Sequence, residues 1–152
     1  MKNKELFERT VNVLVNAYLN NTLKNSDCAA CAVGNLILAS NGTKPIIDEN
    51  GDLEWDFSVQ FGHEGVSWYG VVHHNEKPNK SLDDTNKTGY TWSQLTLIEN
   101  SFERPKGRTF LESKEERMYL SLMSVIDCLM NIHEANEIEV LQAKSLFIKE
   151  TA

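Results

Sequence analysis

The chain's paired cysteines, Cys28 and Cys31, stand in a C-x-x-C arrangement within Cys28-Ala29-Ala30-Cys31-Ala32-Val33-Gly34-Asn35. At the start of a helix, two thiols at this spacing lie one turn apart on one face. The free N–H groups and the helix dipole there stabilise a thiolate, which is the physics of a dithiol redox centre. Such a motif ordinarily follows a strand, whereas here a helical pattern precedes it. The same residues can be half of a zinc site. Structural zinc takes four ligands, and His73 and His74 are the candidates to complete it, with His63 a further one. The third reading is packing, because free cysteine is among the most buried residue types. The sequence leaves all three open.

Other residues carry weaker signals. His73-His74 stands beside Glu76 and suits a general base or a ligand, or simply an exposed strand end. Asp127 interrupts an apolar helical stretch next to Cys128. It is either a buried carboxylate with a shifted pKa or one that faces solvent. Cys128 and His133 are five apart and do not share a helix face. Trp55, Trp68 and Trp92 fit a ligand pocket or a core. The chain lacks a phosphate-cradling glycine loop, a nucleophile elbow and an H-E-x-x-H pair, so no catalytic constellation is complete.

The elements that would position these residues are mostly helical. Phe7, Val11, Leu14 and Tyr18 fall at helical spacing and predict a helix over 4–24. Ser26 or Asp27 can cap a second helix over 28–39. Apolar nearly all round and rich in small residues, that helix is expected at the centre of the fold. Residues 43–52 read as loop. Leu53, Trp55, Phe57, Val59 and Phe61 then alternate with polar residues, predicting a strand over 53–61 that returns over 66–72 as a β-hairpin. Residues 75–89 form a long polar loop of the kind that is often functional or mobile. Thr91-Trp92-Ser93-Gln94 has capping-box form and opens a helix to Glu103, which Pro105 and Gly107 stop. Ser113-Lys114-Glu115-Glu116 opens the longest helix, to His133, with Met118, Leu122, Val125, Leu129 and Ile132 as its stripe. A last helix covers 137–148. The expected fold is therefore mainly α: a single domain, 1–152, of about five helices around 28–39, with an inserted hairpin.

A length of 152 residues suits one domain with its own core, and 41% hydrophobic with 24% charged residues is ordinary for a globular chain. A net charge of −7 argues against a phosphate-binding protein and so against a nucleic-acid partner, whose affinity rests on clustered Lys and Arg. Arg104, Lys106 and Arg108 are the one local cluster evident in the sequence. A protein or small-molecule partner is expected. Three cysteines do not form a secreted disulfide scaffold. No run approaches the ~20 apolar residues of a membrane span, and no signal core opens the chain. The expected setting is the reduced cytoplasm, without a membrane.

The stretches Asp27–Ile37 and Tyr90-Thr91-Trp92-Ser93-Gln94-Leu95 resemble small proteins from Bacteroidetes genomes and from phages that infect those bacteria. The resemblance implies a phage or mobile-element origin and no particular chemistry. The C-x4-C-x2-C run of a plant-type iron–sulfur module is missing. The reading that results is a small accessory binding protein. The alternatives are a zinc or dithiol protein centred on 28–31 and a homo-oligomer built through the stripe at 118–132.

Overall fold

The computed structural model describes residues 1–26, 30–40, 46–47, 49–50, 53–54 and 87–148. Among them lie α1 (Lys4–Leu19), α2 (Ala32–Ser40), β1 (Ile46–Ile47), β2 (Leu53–Glu54), α3 (Trp92–Glu103), α4 (Lys114–His133) and α5 (Glu137–Ser145). The chain is mainly helical, as the periodicity predicts.

Helix α1 starts at Asn3, whose side chain accepts from the Leu6 N–H at 3.2 Å. It turns Leu6, Phe7, Val11 and Leu14 inward. It stops at Leu19 rather than near residue 24. Asn21 takes a left-handed conformation (φ 59°), the Thr22 N–H returns to the Ala17 carbonyl at 2.8 Å and the Asn21 N–H to Tyr18 at 3.3 Å. This is a Schellman stop, with asparagine where glycine is usual.

Helix α2 begins at Ala32, not at 28. Neither expected cap is seen in that role: Asp27 lies outside the described residues, and the Ser26 N–H goes instead to the Glu103 carboxylate at 2.8 and 2.9 Å. Cys31 takes the place, its sulfur accepting from the Gly34 N–H at 3.1 Å, the bond a capping serine would make. The helix is buried along most of its length and lies against α1 and α3, so its central position is as expected.

The other helices start where their caps predict. Thr91 and Gln94 form a reciprocal capping box on α3, with bonds of 3.0 and 3.1 Å. Ser113 accepts from the Glu116 N–H at 3.2 Å on α4. Asn136 and Glu139 close a second full box on α5, which ends at Ser145 rather than 148. Helix α4 is the spine, packing on α3, α5 and α1. Its stripe, Leu122, Val125, Ile126 and Leu129, is fully buried within the chain and joins Leu14, Ile37, Leu95, Ile98, Phe102 and Phe147 in one core. The flanking members of that stripe, Met118 and Ile132, are only partly buried.

Ile46 and Ile47, in a stretch read as loop, pair antiparallel with Glu54 and Leu53. The signal was present: two β-branched residues precede the turn residues Asn50-Gly51. Apart from Leu53–Glu54, the expected hairpin over 53–61 and 66–72 lies outside the described residues, as does the loop at 75–89 up to residue 86. The end of that loop is not open: Thr88 and Tyr90 are buried, and Gly89 turns with φ 91° hard against Leu6.

Candidate functional site

Of the four expected metal ligands, Cys28, His73 and His74 lie outside the described residues, and Cys31 is fully buried at the start of α2. Its neighbour in space is Glu99 of α3, a residue the sequence did not single out. Glu99 is 9% exposed, and its carboxyl meets the Cys31 thiol and the Val33 N–H. Burial pushes its pKa up to about 7. The hydrogen bonds from Cys31 and Val33 pull the other way, and the charge of Glu103 adds to the rise. The second carboxyl oxygen, Oε2, has no hydrogen-bond partner among the described residues. The arrangement is a thiol hydrogen-bonded to a carboxyl at a helix N-terminus, where the N–H groups of Val33 and Gly34 favour negative charge. With no exposed surface, the Cys31 sulfur is closed to bulky reagents in the folded chain. Among the described residues no group of three or more His, Cys, Asp or Glu is placed to hold a metal ion.

The other signals resolve more simply. Asp127 is exposed and pairs with Lys144 at 2.8 Å. Cys128 is half-buried, with burial raising its thiol pKa and a Ser101 hydrogen bond opposing. Trp92 is buried in the core; Trp55 and Trp68 lie outside the described residues. No described helix is long and apolar enough to cross a membrane.

A second polar cluster ties the chain's start to the end of α4. The Tyr90 hydroxyl lies 2.7 Å from Thr10 Oγ1 and 2.8 Å from His133 Nε2. His133 Nδ1 is 2.7 Å from the Lys2 carbonyl, which can only accept, so Nδ1 donates there. The His133 carbonyl in turn accepts from the Lys2 N–H at 2.6 Å. Phe7 and Tyr90 each meet the imidazole edge-on at 5.5 Å. Burial, before any other influence, lifts the Tyr90 pKa to about 12, so the phenol keeps its proton. The cluster is enclosed and acts as a clasp.

The exposed features include apolar side chains such as Ile138 and Leu141 on α5 and the turn between α3 and α4. Its base is fixed: Pro105 is buried, the Lys106 N–H reaches Ser124 Oγ at 3.1 Å, and Gly107 turns at φ 84°. Glu112 is the hub of the tip. It takes the Arg108 Nε–H at 2.7 Å and both the N–H and hydroxyl of Thr109 at 3.0 Å. The hydrogen bond from Arg108 is the main reason its carboxyl is held at about 2. The Arg108 guanidinium lies over the Phe110 ring, 4.5 Å from its centroid. Phe110 itself is left-handed at φ 63°, a conformation that a bulky side chain rarely takes. Phe110 is 79% exposed and Leu111 91%. Two large apolar side chains thus stand in water on a turn braced by an ion pair, flanked by the exposed Arg104 and Lys106.

The sequence flagged Arg104, Lys106 and Arg108 only as charge. The signal missed was Phe110-Leu111, an apolar pair between a helix stop and a helix cap with no periodicity to bury it. No protein-family model, no curated protein and no solved structure matches the chain.

Proposed function

We propose that this chain is an accessory binding protein that docks another protein through the 108–112 turn, with Phe110 and Leu111 as its anchors. The observation that carries the reading is Phe110: a bulky residue held in a left-handed conformation, almost fully exposed. Strain of this kind costs about 1–3 kcal/mol and persists where the surroundings enforce it, commonly at binding sites. Here the Arg108–Glu112–Thr109 bonds are the enforcing structure. Rigid aromatic anchors lose little entropy on docking and dominate interface energies. The partner's chemistry follows from the rim: an apolar pocket edged by carboxylates, which would face Arg104 and Lys106.

The test places a photo-crosslinking residue at Lys106, beside the anchors, identifies the captured protein, and measures binding to it purified. Phe110→Ser should weaken that binding by at least about thirtyfold, on the order of 2 kcal/mol, with unfolding unchanged. Equal affinity of the variant would overturn the reading. A mass that rises with concentration, and stops doing so in Phe110→Ser, would assign the anchors to a second copy of the chain instead.

A zinc or dithiol role keeps one supporting observation, the position of Cys31 at a helix N-terminus. Metal content and free-thiol titration on one anaerobic sample, with Cys28→Ser and Cys31→Ser variants, test it directly.

A further inference from the structure

On a different surface, a cleft of about 470 Å³ opens between the end of α1, the 21–25 turn and the first turns of α4. Its size falls in the ~300–1,000 Å³ range of small-molecule sites. Lys24, Lys114 and Arg117 line it, against one acid, Glu115, with Glu103 3.9 Å behind Arg117, so the balance of the cleft is positive. This is the reverse of the chain as a whole, which carries −7. Leu23, Met118 and the Tyr18 ring supply apolar wall.

The walls are held from behind. The Schellman stop sets the backbone at Asn21, and the Lys24 N–H is fixed to the Ala30 carbonyl at 2.8 Å. Asn25 donates to the Phe102 carbonyl at 3.0 Å and to Ser121 Oγ at 3.1 Å, which pins the turn to α3 and α4. Arg117 is oriented by Glu103, 3.9 Å from its Nη2, while that carboxylate is already engaged by the Ser26 N–H. The Arg117 Nε–H is buried and has no hydrogen-bond partner among the described residues. The rest of the side chain is partly exposed, and the terminal Nη groups of a guanidinium form a planar fork that matches an oxyanion. Lys114 makes no ion pair among the described residues.

We infer that this cleft binds a small organic oxyanion, a carboxylate or phosphate monoester, with its charged end on Arg117, Lys114 and Lys24. Its apolar part lies against Leu23, Met118 and Tyr18. Glu115 limits the charge the site takes, because a second negative group would approach it.

The test titrates the uniformly labelled full chain with benzoate, phenyl phosphate and inorganic phosphate, following backbone amide shifts. Expected is saturation by benzoate or phenyl phosphate, with shifts gathered at Lys24, Asn25 and 114–118, and binding at least about tenfold weaker in Arg117→Gln. Lys24→Gln with Lys114→Gln removes charge without touching the Glu103 contact, and should weaken binding even if Arg117→Gln unfolds. Three outcomes overturn the inference: no saturable binding of either organic anion, affinity unchanged in the double lysine variant, or inorganic phosphate binding as tightly as phenyl phosphate, which would mark an adventitious ion only.

Discussion

Replacing Glu99 by glutamine should remove the loss of stability that this carboxyl imposes between mildly acidic and mildly alkaline pH. The native carboxyl holds its proton up to about pH 7, whereas an ordinary glutamate releases it near 4.5. Between those values the folded chain binds more protons at this site than the unfolded chain. Its stability therefore falls as pH rises through the window. Below 4.5 the carboxyl is neutral in both states, and above about 7 it is ionised in both, so the change is confined to the interval. At ~1.4 kcal/mol for each pH unit the window is worth about 3 kcal/mol, a large share of a typical 5–15 kcal/mol. Glutamine keeps the carbonyl that accepts from Cys31 and Val33 and cannot ionise. Urea unfolding followed by circular dichroism at about pH 5 and pH 8 should show the wild type losing about 2–3 kcal/mol more than Glu99→Gln. All other titrating groups cancel in that comparison. Parallel pH profiles for the two proteins would refute the reasoning, because they would mean that Glu99 is ionised as easily in the fold as outside it.

Three further outcomes test the frame around the sites. Gly89→Ala places a Cβ 2.9 Å from a Leu6 methyl carbon at φ 91°, and urea unfolding should show a loss of about 1–2 kcal/mol. Tyr90→Phe removes the hydroxyl between Thr10 and His133 and should cost about 1–3 kcal/mol in the same assay, because both buried partners are left short of a bond. Phe110→Gly relieves the left-handed backbone at the cost of an exposed cation–π contact, so thermal unfolding should come no earlier than in the wild type. An earlier transition would mean that Phe110 serves the fold rather than a partner.

The helices were legible because each carries two agreeing signals. On α3 and α4 the caps at Thr91 and Ser113 mark the start, and a stripe such as Leu122, Val125 and Leu129 marks the buried face. Where one signal stood alone, the boundary moved. Periodicity carries α1 past Leu19 because Asn20-Asn21 reads as fraying, while asparagine at φ > 0 is in fact a complete stop. The start of α2 is expected at 28 because Ser26 and Asp27 are ordinary caps, yet it is the Cys31 sulfur that holds the Gly34 N–H at 3.1 Å. The apolar stripe of α4 shows a further limit: a pattern says that a face is covered, and only the fold says that Leu122, Val125 and Leu129 are covered within the chain.

The sites were illegible for a different reason. Cys31 and Glu99 are 68 positions apart in the numbering, and Lys24 is 90 from Lys114, so no spacing rule links them. Net charge pointed away from an anion-binding surface, because a sum over the chain carries no information on where its positive members meet. Cys31 itself drew attention for its partner at 28, whereas its described surroundings are a buried carboxyl and two helix N–H groups. That environment argues for tuned burial rather than open reactivity. A hydroxyl or an amide at 31 would cap α2 as well, but the polarizable thiol fits the apolar interior at lower desolvation cost. The buried Glu99, not the cysteine motif, is then the costly element of the centre, since Cys31 packs favourably and Glu99 does not.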